Sequence, residues 1–276
     1  MGKHAFYVYD SKHLNLVYMS KYIHEEILWI QASPDGYIYT ALNDENGNCS
    51  IVCWKKMHRV MEFKGHQNTI VKFIIAGEFI FSLGEGGEFL VFNRMKGTVS
   101  KKIQFEKDFD QFIHPSTYVN KLLFSAPNEN PELWNIMSEE KIFEFDFAKA
   151  EVTCFEQSPV VDIVAIGFAD GQIFLVNLLY NEVLLKFSQD SSRIKSLSFS
   201  SDTTLGVSLL ASVTDSLEGG QNIVFWDLNQ KKILSTLQDP HSKKQISDVQ
   251  FMANEPVLIS SSEEGNSIKM WLFEKG

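Results

Sequence analysis

Cysteine is scarce in this 276-residue sequence, with only Cys49, Cys53 and Cys154 present. Three thiols cannot build a disulfide framework, and no Cys-x-x-Cys pair offers a zinc or redox site. Cys49 and Cys53 lie four apart on an expected strand, on one face but roughly 13 Å apart at strand rise, too far for a bridge or a shared metal. All three read as small buried apolar residues of a reducing compartment. A basic excess is also missing: 25 Lys and Arg against 35 Asp and Glu give a formal net charge of −10. A protein that grips nucleic acid over its whole surface carries the opposite balance. RNA contact is therefore expected only through a local patch, and a protein partner is expected first. No apolar run approaches a membrane span, and MGKHAFYVYD lacks the apolar core of a signal peptide. The reading is a soluble, intracellular protein without membrane contact.

Catalytic signatures are absent as well. There is no G-x-S-x-G elbow, P-loop, H-E-x-x-H or G-x-G-x-x-G. GEGG (Gly84 to Gly87) is a turn between two strands, without the following helix that a phosphate cradle needs. His4, His13, His24, His58, His66, His114 and His241 are scattered without ligand spacing. FIHPSTYVNKLLF sets His114 near Ser116, yet no neighbouring acid orients a base. It reads as a connection between strands, with Pro115 ending the first and Ser116 and Thr117 satisfying turn amides. The paired acids Glu25–Glu26, Glu139–Glu140 and Glu263–Glu264 read as solvated turn residues. The expectation is no enzyme, no metal, no cofactor and no small-molecule substrate.

What is abundant is phenylalanine, with 22 copies against 8 Tyr and 5 Trp, an enrichment that favours strands. Segments that alternate apolar and polar residues, pass an aromatic or apolar anchor and meet a polar turn recur along the chain. Their anchors are Tyr9, Trp54, Phe92, Trp134, Val176, Trp226 and Trp271, with gaps of 45, 38, 42, 42, 50 and 45 residues. That period, with a Trp-Asp-like end in FWD (Trp226, Asp227), is the signature of a WD-repeat β-propeller. Each interval divides into an outer strand, a loop, an inner strand and a next strand. YIHEEILWI is compatible with a helical face, but its place in the repeat assigns it to a strand. The expected fold is all-β, a WD-repeat propeller of seven blades spanning residues 1–276 as one domain. The first repeat opens at its third strand and the last ends at its third. The first blade is therefore incomplete here, and the chain reads as a fragment of a longer protein.

Blade geometry should rest on Trp54, Phe92, Trp134, Trp226, Asp227 and Trp271. A buried hydrogen-bonded set of His, hydroxyl, acid and Trp is recognisable only in part. His66 and Ser82 accompany Phe92, which cannot donate; His241, Ser260 or Ser262, and Glu264 accompany Trp271; Asp170 accompanies Val176. The lysine pairs 55–56, 101–102 and 231–232 read as charges on an exposed outer rim. Partner contacts are expected on loops, which a rigid sheet positions without needing them for its core. The candidates are His66, Gln67, Asp108, Asp110, Lys149, Asp190, Arg193, His241, Lys243 and Lys244, with the last two as the phosphate-contacting pair.

FIHPSTYVNKLLF followed by ELWNIMSEEKIFEF, SPVVDIVAIGFADGQIFLVNLLYNEVLLKFSQD, IKSLSFSSD and NIVFWDLNQKKIL resemble the U3 small nucleolar RNA-associated protein 21 family. So do HSKKQISDVQF, EPVLISSS, IKMWLF, FKGHQNTI and the opening YDSKHLNLV, so the likeness spans essentially the whole chain. It is most specific in HPSTYVNK and SPVVDIVAIG, and it weakens around PNENPELW and TDSLEGGQN. The resemblance implies the first of two tandem propellers in a nucleolar scaffold of the small-subunit processome, acting in pre-18S ribosomal RNA processing and small-subunit biogenesis. It further implies other processome proteins as partners and an indirect or local contact with U3 RNA or pre-ribosomal RNA. The competing class is a generic cytoplasmic WD scaffold, in signalling or as a ubiquitin-ligase adaptor. A propeller hydrolase is a third class, for which no nucleophile or metal set is present.

Overall fold

The computed structural model describes residues 4–56, 58–115, 120–147, 150–160, 162–202, 204, 206–215, 221–262, 264 and 267–273. The chain divides into two compact units, Met1–Phe112 and Ile113–Gly276. The first holds a two-stranded sheet of β1 (Tyr7–Tyr9) and β2 (Leu16–Met19) and two four-stranded sheets. One of these comprises β3 (Glu26–Ala32), β4 (Ile38–Asn43), β5 (Cys49–Lys55) and β6 (His58–Lys64). The other comprises β7 (Ile70–Ala76), β8 (Phe79–Gly84), β9 (Glu88–Asn93) and β10 (Thr98–Gln104). The division falls within β11 (Gln111–Ile113), which continues into β12 (Lys121–Ser125), β13 (Glu132–Asn135) and β14 (Glu140–Glu144) as a third four-stranded sheet. The second unit adds a sheet of β15 (Val152–Gln157), β16 (Ile163–Phe168), β17 (Gln172–Asn177) and β18 (Glu182–Ser188). Another follows from β19 (Ile194–Phe199), β20 (Leu209–Thr214), β21 (Ile223–Asp227) and β22 (Lys232–Leu237). A three-stranded sheet of β23 (Asp248–Phe251), β24 (Val257–Ser262) and β25 (Ser267–Leu272) ends the described chain.

In all six larger sheets the strands neighbour one another in chain order, which is how a propeller blade is built. Among the described residues the expectation of seven blades thus meets six blades and one two-stranded sheet. YIHEEILWI supplies β3, as its place in the repeat required, and the GEGG glycines form a short 3-10 turn at Glu85–Gly87 between β8 and β9. Glu26 and Glu140 are not turn residues as expected but open β3 and β14. An acid at the first position of a strand still reaches water, so composition alone does not separate the two placements.

The hairpins from third to fourth strand repeat one local device. Asn93, Asn135, Asn177 and Asp227 each directly follow an anchor. In each case Oδ1 accepts the backbone N–H groups two and three residues on. Four residues after each lies a left-handed residue: Gly97, Glu139, Asn181 or Lys231. Short side-chain oxygens satisfy turn amides that no strand reaches, so the "D" of the repeat works as a turn cap. A register shift at or beside the anchor follows in the outer strand, as between Phe225 and Trp226.

The phenylalanines fill the space between neighbouring sheets. In the first unit Phe63, Phe73 and Phe92 are buried in one cluster, with Phe63 and Phe92 edge to face at 5.7 Å. Phe6 and Ile23 cover Trp54 on the other face of β3–β6. In the second unit Phe145, Phe168 and Phe174 pack beside Leu123 and Val164, and Phe225 and Phe251 join Val249 and Leu258. Each such ring contributes about 2–3 kcal/mol on burial. Cys49 and Cys53 are buried on the same cluster, but Cys154 is only half-buried. It sits on the inner strand β15, where Gly167 approaches so closely that a Cβ there would meet its sulfur at 2.7 Å.

Candidate functional site

The polar residues that survive burial arrange around the anchors by register. The residue two beyond each anchor's cross-strand partner is a hydroxyl in four blades. Trp54 pairs with Ile38, and its Nε1–H donates to Thr40 Oγ1 at 2.8 Å. Trp226 pairs with Leu210 and donates to Ser212 at 2.8 Å; Trp271 pairs with Leu258 and donates to Ser260 at 2.9 Å. Phe92 pairs with Ile80, which places Ser82 in the same position. In the remaining two blades Phe124 and Ile166 occupy it, opposite Trp134 and Val176. Trp134 instead donates to Glu132 Oε2 of its own strand at 2.8 Å.

Two histidines extend these sets. His241 Nε2 contacts Ser260 at 2.7 Å, and its Nδ1 contacts Ser267 at 2.9 Å, completing a chain from indole to hydroxyl to imidazole to hydroxyl. His66 Nε2 contacts Ser82 at 2.7 Å, and its Nδ1 contacts Glu88 Oε2 at 2.9 Å. Glu88 also accepts from Lys102 Nζ at 2.9 Å and from the backbone N–H groups of Gln67 and Asn68. Burial pushes both imidazoles below their ordinary value, against the pull of Glu88 in the case of His66. Burial alone would raise the Glu88 carboxyl, but the bonds from Lys102 and His66 hold it below the usual carboxylate range. Gln189 takes the histidine's place in the sheet β19–β22, accepting from Ser212 at 2.5 Å.

These bonds tie inner, second and third strands of a blade together and so hold its geometry. Burial raises the Cys49 and Cys53 thiols, which makes them poor nucleophiles. It also pushes Tyr39 up to about 12, with Arg94 donating to the phenol at 2.6 Å. Among the described residues no three His, Cys, Asp or Glu side chains converge as metal ligands. Ser212→Ala leaves the buried Trp226 donor without its acceptor, and a loss of about 1–2 kcal/mol is expected in urea unfolding followed by tryptophan fluorescence.

The ten contact candidates fall into distinct groups. The structure places the His66 side chain, 1% exposed, and His241, 4% exposed, inside their blades, where each bonds through both ring nitrogens. Gln67 is exposed. Asp108 is exposed but accepts from the Gly86 N–H at 2.8 Å, bracing the glycine turn, and Asp110 is half-buried. Asp190 accepts from Ser192 and Thr214, and Arg193 donates to Glu151 at 3.0 Å. Lys243 and Lys244 are exposed on the turn after Asp239, where Lys243 is left-handed at φ 62. Lys149 lies outside the described residues. No two of the candidates bond to each other among the contacts described.

Other expectations are corrected too. Glu264 does not enter the His241 set, because Ser267 already occupies the Nδ1 side. Asp170 turns outward to cap Gln172 rather than joining a set, since Val176 has no donor to recruit it. Lys102 is not a free rim charge but a partner of buried Glu88, and Lys55 ends the third strand β5 rather than lying on an outer one. Thr40, Glu88, Gln189, Ser212 and Ser267 were missed. Their signal was position: Glu88 and Ser267 both stand four residues before an anchor.

A profile of the family described as WDR36/Utp21 first beta-propeller matches residues 2–274. The chain belongs to that family. Its blades are those of the WDR36/Utp21 first β-propeller. WD repeat-containing protein 36 of Homo sapiens is 31% identical over 99% of this chain and 29% of its own length. U3 small nucleolar RNA-associated protein 21 homolog of Schizosaccharomyces pombe is 25% identical over 98% of the chain, again 29% of its length. U3 small nucleolar RNA-associated protein 21 of Saccharomyces cerevisiae is 21% identical over 99% and 29%. The chain thus spans less than a third of the curated relatives it matches.

Proposed function

We propose that this WDR36/Utp21-type propeller is a non-catalytic scaffold of a U3 small nucleolar RNA-associated assembly, the small-subunit processome. It would serve pre-18S ribosomal RNA processing and small-subunit biogenesis in the nucleolus, docking other processome proteins. The observation that carries this reading is the family match along residues 2–274, with yeast relatives named for association with U3 small nucleolar RNA. The buried polar sets support it, because they stiffen sheets and leave loops as the free surface. Of the contact candidates, Gln67, Lys243 and Lys244 are exposed with side chains that brace no described loop. Lys243 and Lys244 suit a local phosphate contact in a chain whose overall charge disfavours a broad one.

The test is purification of the tagged full protein from cells. U3 RNA and pre-ribosomal proteins should co-purify with it, and Lys243→Glu with Lys244→Glu should lower U3 RNA recovery several-fold at unchanged protein level. Absence of U3 RNA from the wild-type material would overturn the processome reading. Unchanged recovery with the double variant would remove only the phosphate role of the pair.

A further inference from the structure

Charge runs against the average at one end of two sheets in the first unit, both of which have all four strands. The turn from Ser33 to Tyr37 joins β3 to β4. Ile38 pairs with Trp54, so this turn lies beside Lys55 and Lys56 at the end of β5. In the next sheet Phe79 pairs with Asn93, and the Arg94 N–H donates to the Glu78 carbonyl at 2.7 Å. The turn at Gly77 and Glu78 therefore adjoins the turn from Arg94 to Gly97. Arg94 bridges the two sheets. Its guanidinium donates to the Tyr39 hydroxyl at 2.6 Å, to the Gly77 carbonyl at 3.4 Å and to the Asp35 carboxylate. It also lies 5.7 Å from the centre of the Tyr37 ring. Lys55 Nζ lies 4.2 Å from the same ring and donates to its hydroxyl at 2.7 Å.

These turns carry Lys55, Lys56, Arg94 and Lys96 against Asp35 and Glu78, in a chain of net charge −10. Asp35 is committed to Ser33 and Arg94. Lys55, Lys56 and Lys96 are exposed and form no ion pair among the described residues. Met95, between Arg94 and Lys96, is 72% exposed. Asn93 Oδ1 accepts the Met95 and Lys96 N–H groups, so the turn that presents them is held in shape.

We propose that this end of β3–β6 and β7–β10 docks an acidic segment of another polypeptide. Its carboxylates meet Lys55, Lys56 and Lys96, and an apolar side chain rests on Met95. The Asp35 carboxylate on Arg94 already shows the chemistry that the patch accepts. RNA fits less well on two counts. A long polyanion meets the repulsion of the whole acidic chain, whereas a short acidic segment meets only the local field. The one aromatic ring between the cations, Tyr37, has Lys55 over it and is not free to stack a base. A second copy brings the same net charge of −10, which opposes self-association. The inference goes beyond the ribosomal reading and is independent of it.

The test is fluorescence anisotropy of a labelled peptide built of Glu with Leu at every third position, titrated with the full chain. The peptide should bind saturably, and added salt should weaken it. Its counterpart with Lys for Glu should not bind. Lys56→Glu with Lys96→Glu should weaken binding at least tenfold while leaving the melting temperature within a degree or two. Lys243→Glu with Lys244→Glu should leave it within twofold, which separates this patch from the loop after Asp239. No binding of the Glu peptide, or equal losses in the two double variants, overturns the proposal. So does an oligouridylate that displaces the peptide and binds more tightly, which would make the patch an RNA site. Self-association in sedimentation that Lys56→Glu with Lys96→Glu abolishes would make a second copy the occupant and overturns it as well.

Discussion

Gly171→Ala is expected to cost about 3 kcal/mol or more, among the largest effects of any single methyl group added to this chain. Gly171 sits in the FADGQ turn between β16 and β17 at φ +82, a left-handed conformation that a Cβ disfavours by roughly 1–2 kcal/mol. The larger share comes from space. A Cβ built there falls 1.6 Å from the Asp190 carbonyl oxygen and 3.1 Å from that of Ser192. That backbone has little freedom to retreat. The Gln189 N–H donates to the Gly171 carbonyl at 3.1 Å, and the Asp190 carboxylate is tied to Ser192 and Thr214. Gly206→Ala is the matched control, with φ +71 and nothing within 4 Å of its Cβ; it should cost only about 1 kcal/mol. Urea unfolding of the two variants separates conformational strain from collision. Equal losses would mean that the loop at Asp190 yields.

Glu88→Ala is expected to destabilise by about 3 kcal/mol, because one carboxylate satisfies His66, Lys102 and two backbone amides at a position 1% exposed. The same cluster predicts a pH dependence. His66 is depressed below its ordinary 6.5 in the folded chain, so the unfolded chain binds the proton more readily. That stability is present above about pH 6.5 and is lost as pH falls toward the folded value. Glu88 is depressed below its ordinary 4.5, so its share is present above that pH and is lost on further acidification. Both groups therefore act in the same direction. Unfolding midpoints across pH 3–8 should decline in two stages for the wild type. The stage below 4.5 should be reduced in Glu88→Ala, and an unchanged acid profile would count against the cluster.

The strands were legible because their signals are local. Alternation along NIVFWDLNQKKIL, an anchor, then an Asx residue capping the next turn can be read without knowing any other part of the chain. The same holds for β3, where the place of YIHEEILWI in the repeat outweighed its helical pattern. The polar sets were legible only in part. His66 with Ser82, and His241 with Trp271 and either Ser260 or Ser262, followed from residue type and order, and the structure selects Ser260. Glu88 and Gln189 carry no local signal that sets them apart from other acids and amides near turns. Their roles come from bonds across 22 and 23 residues, over loops whose lengths differ from blade to blade.

By itself the sequence determined an all-β chain of repeating hairpins and the residues that anchor and cap them, because strand period and turn chemistry act over a few residues. Tertiary structure alone decided that His66 and His241 face inward and that Lys102 belongs to a buried carboxylate. Those outcomes depend on which side chains meet across strands and between sheets, and burial is a property of that meeting rather than of any one residue.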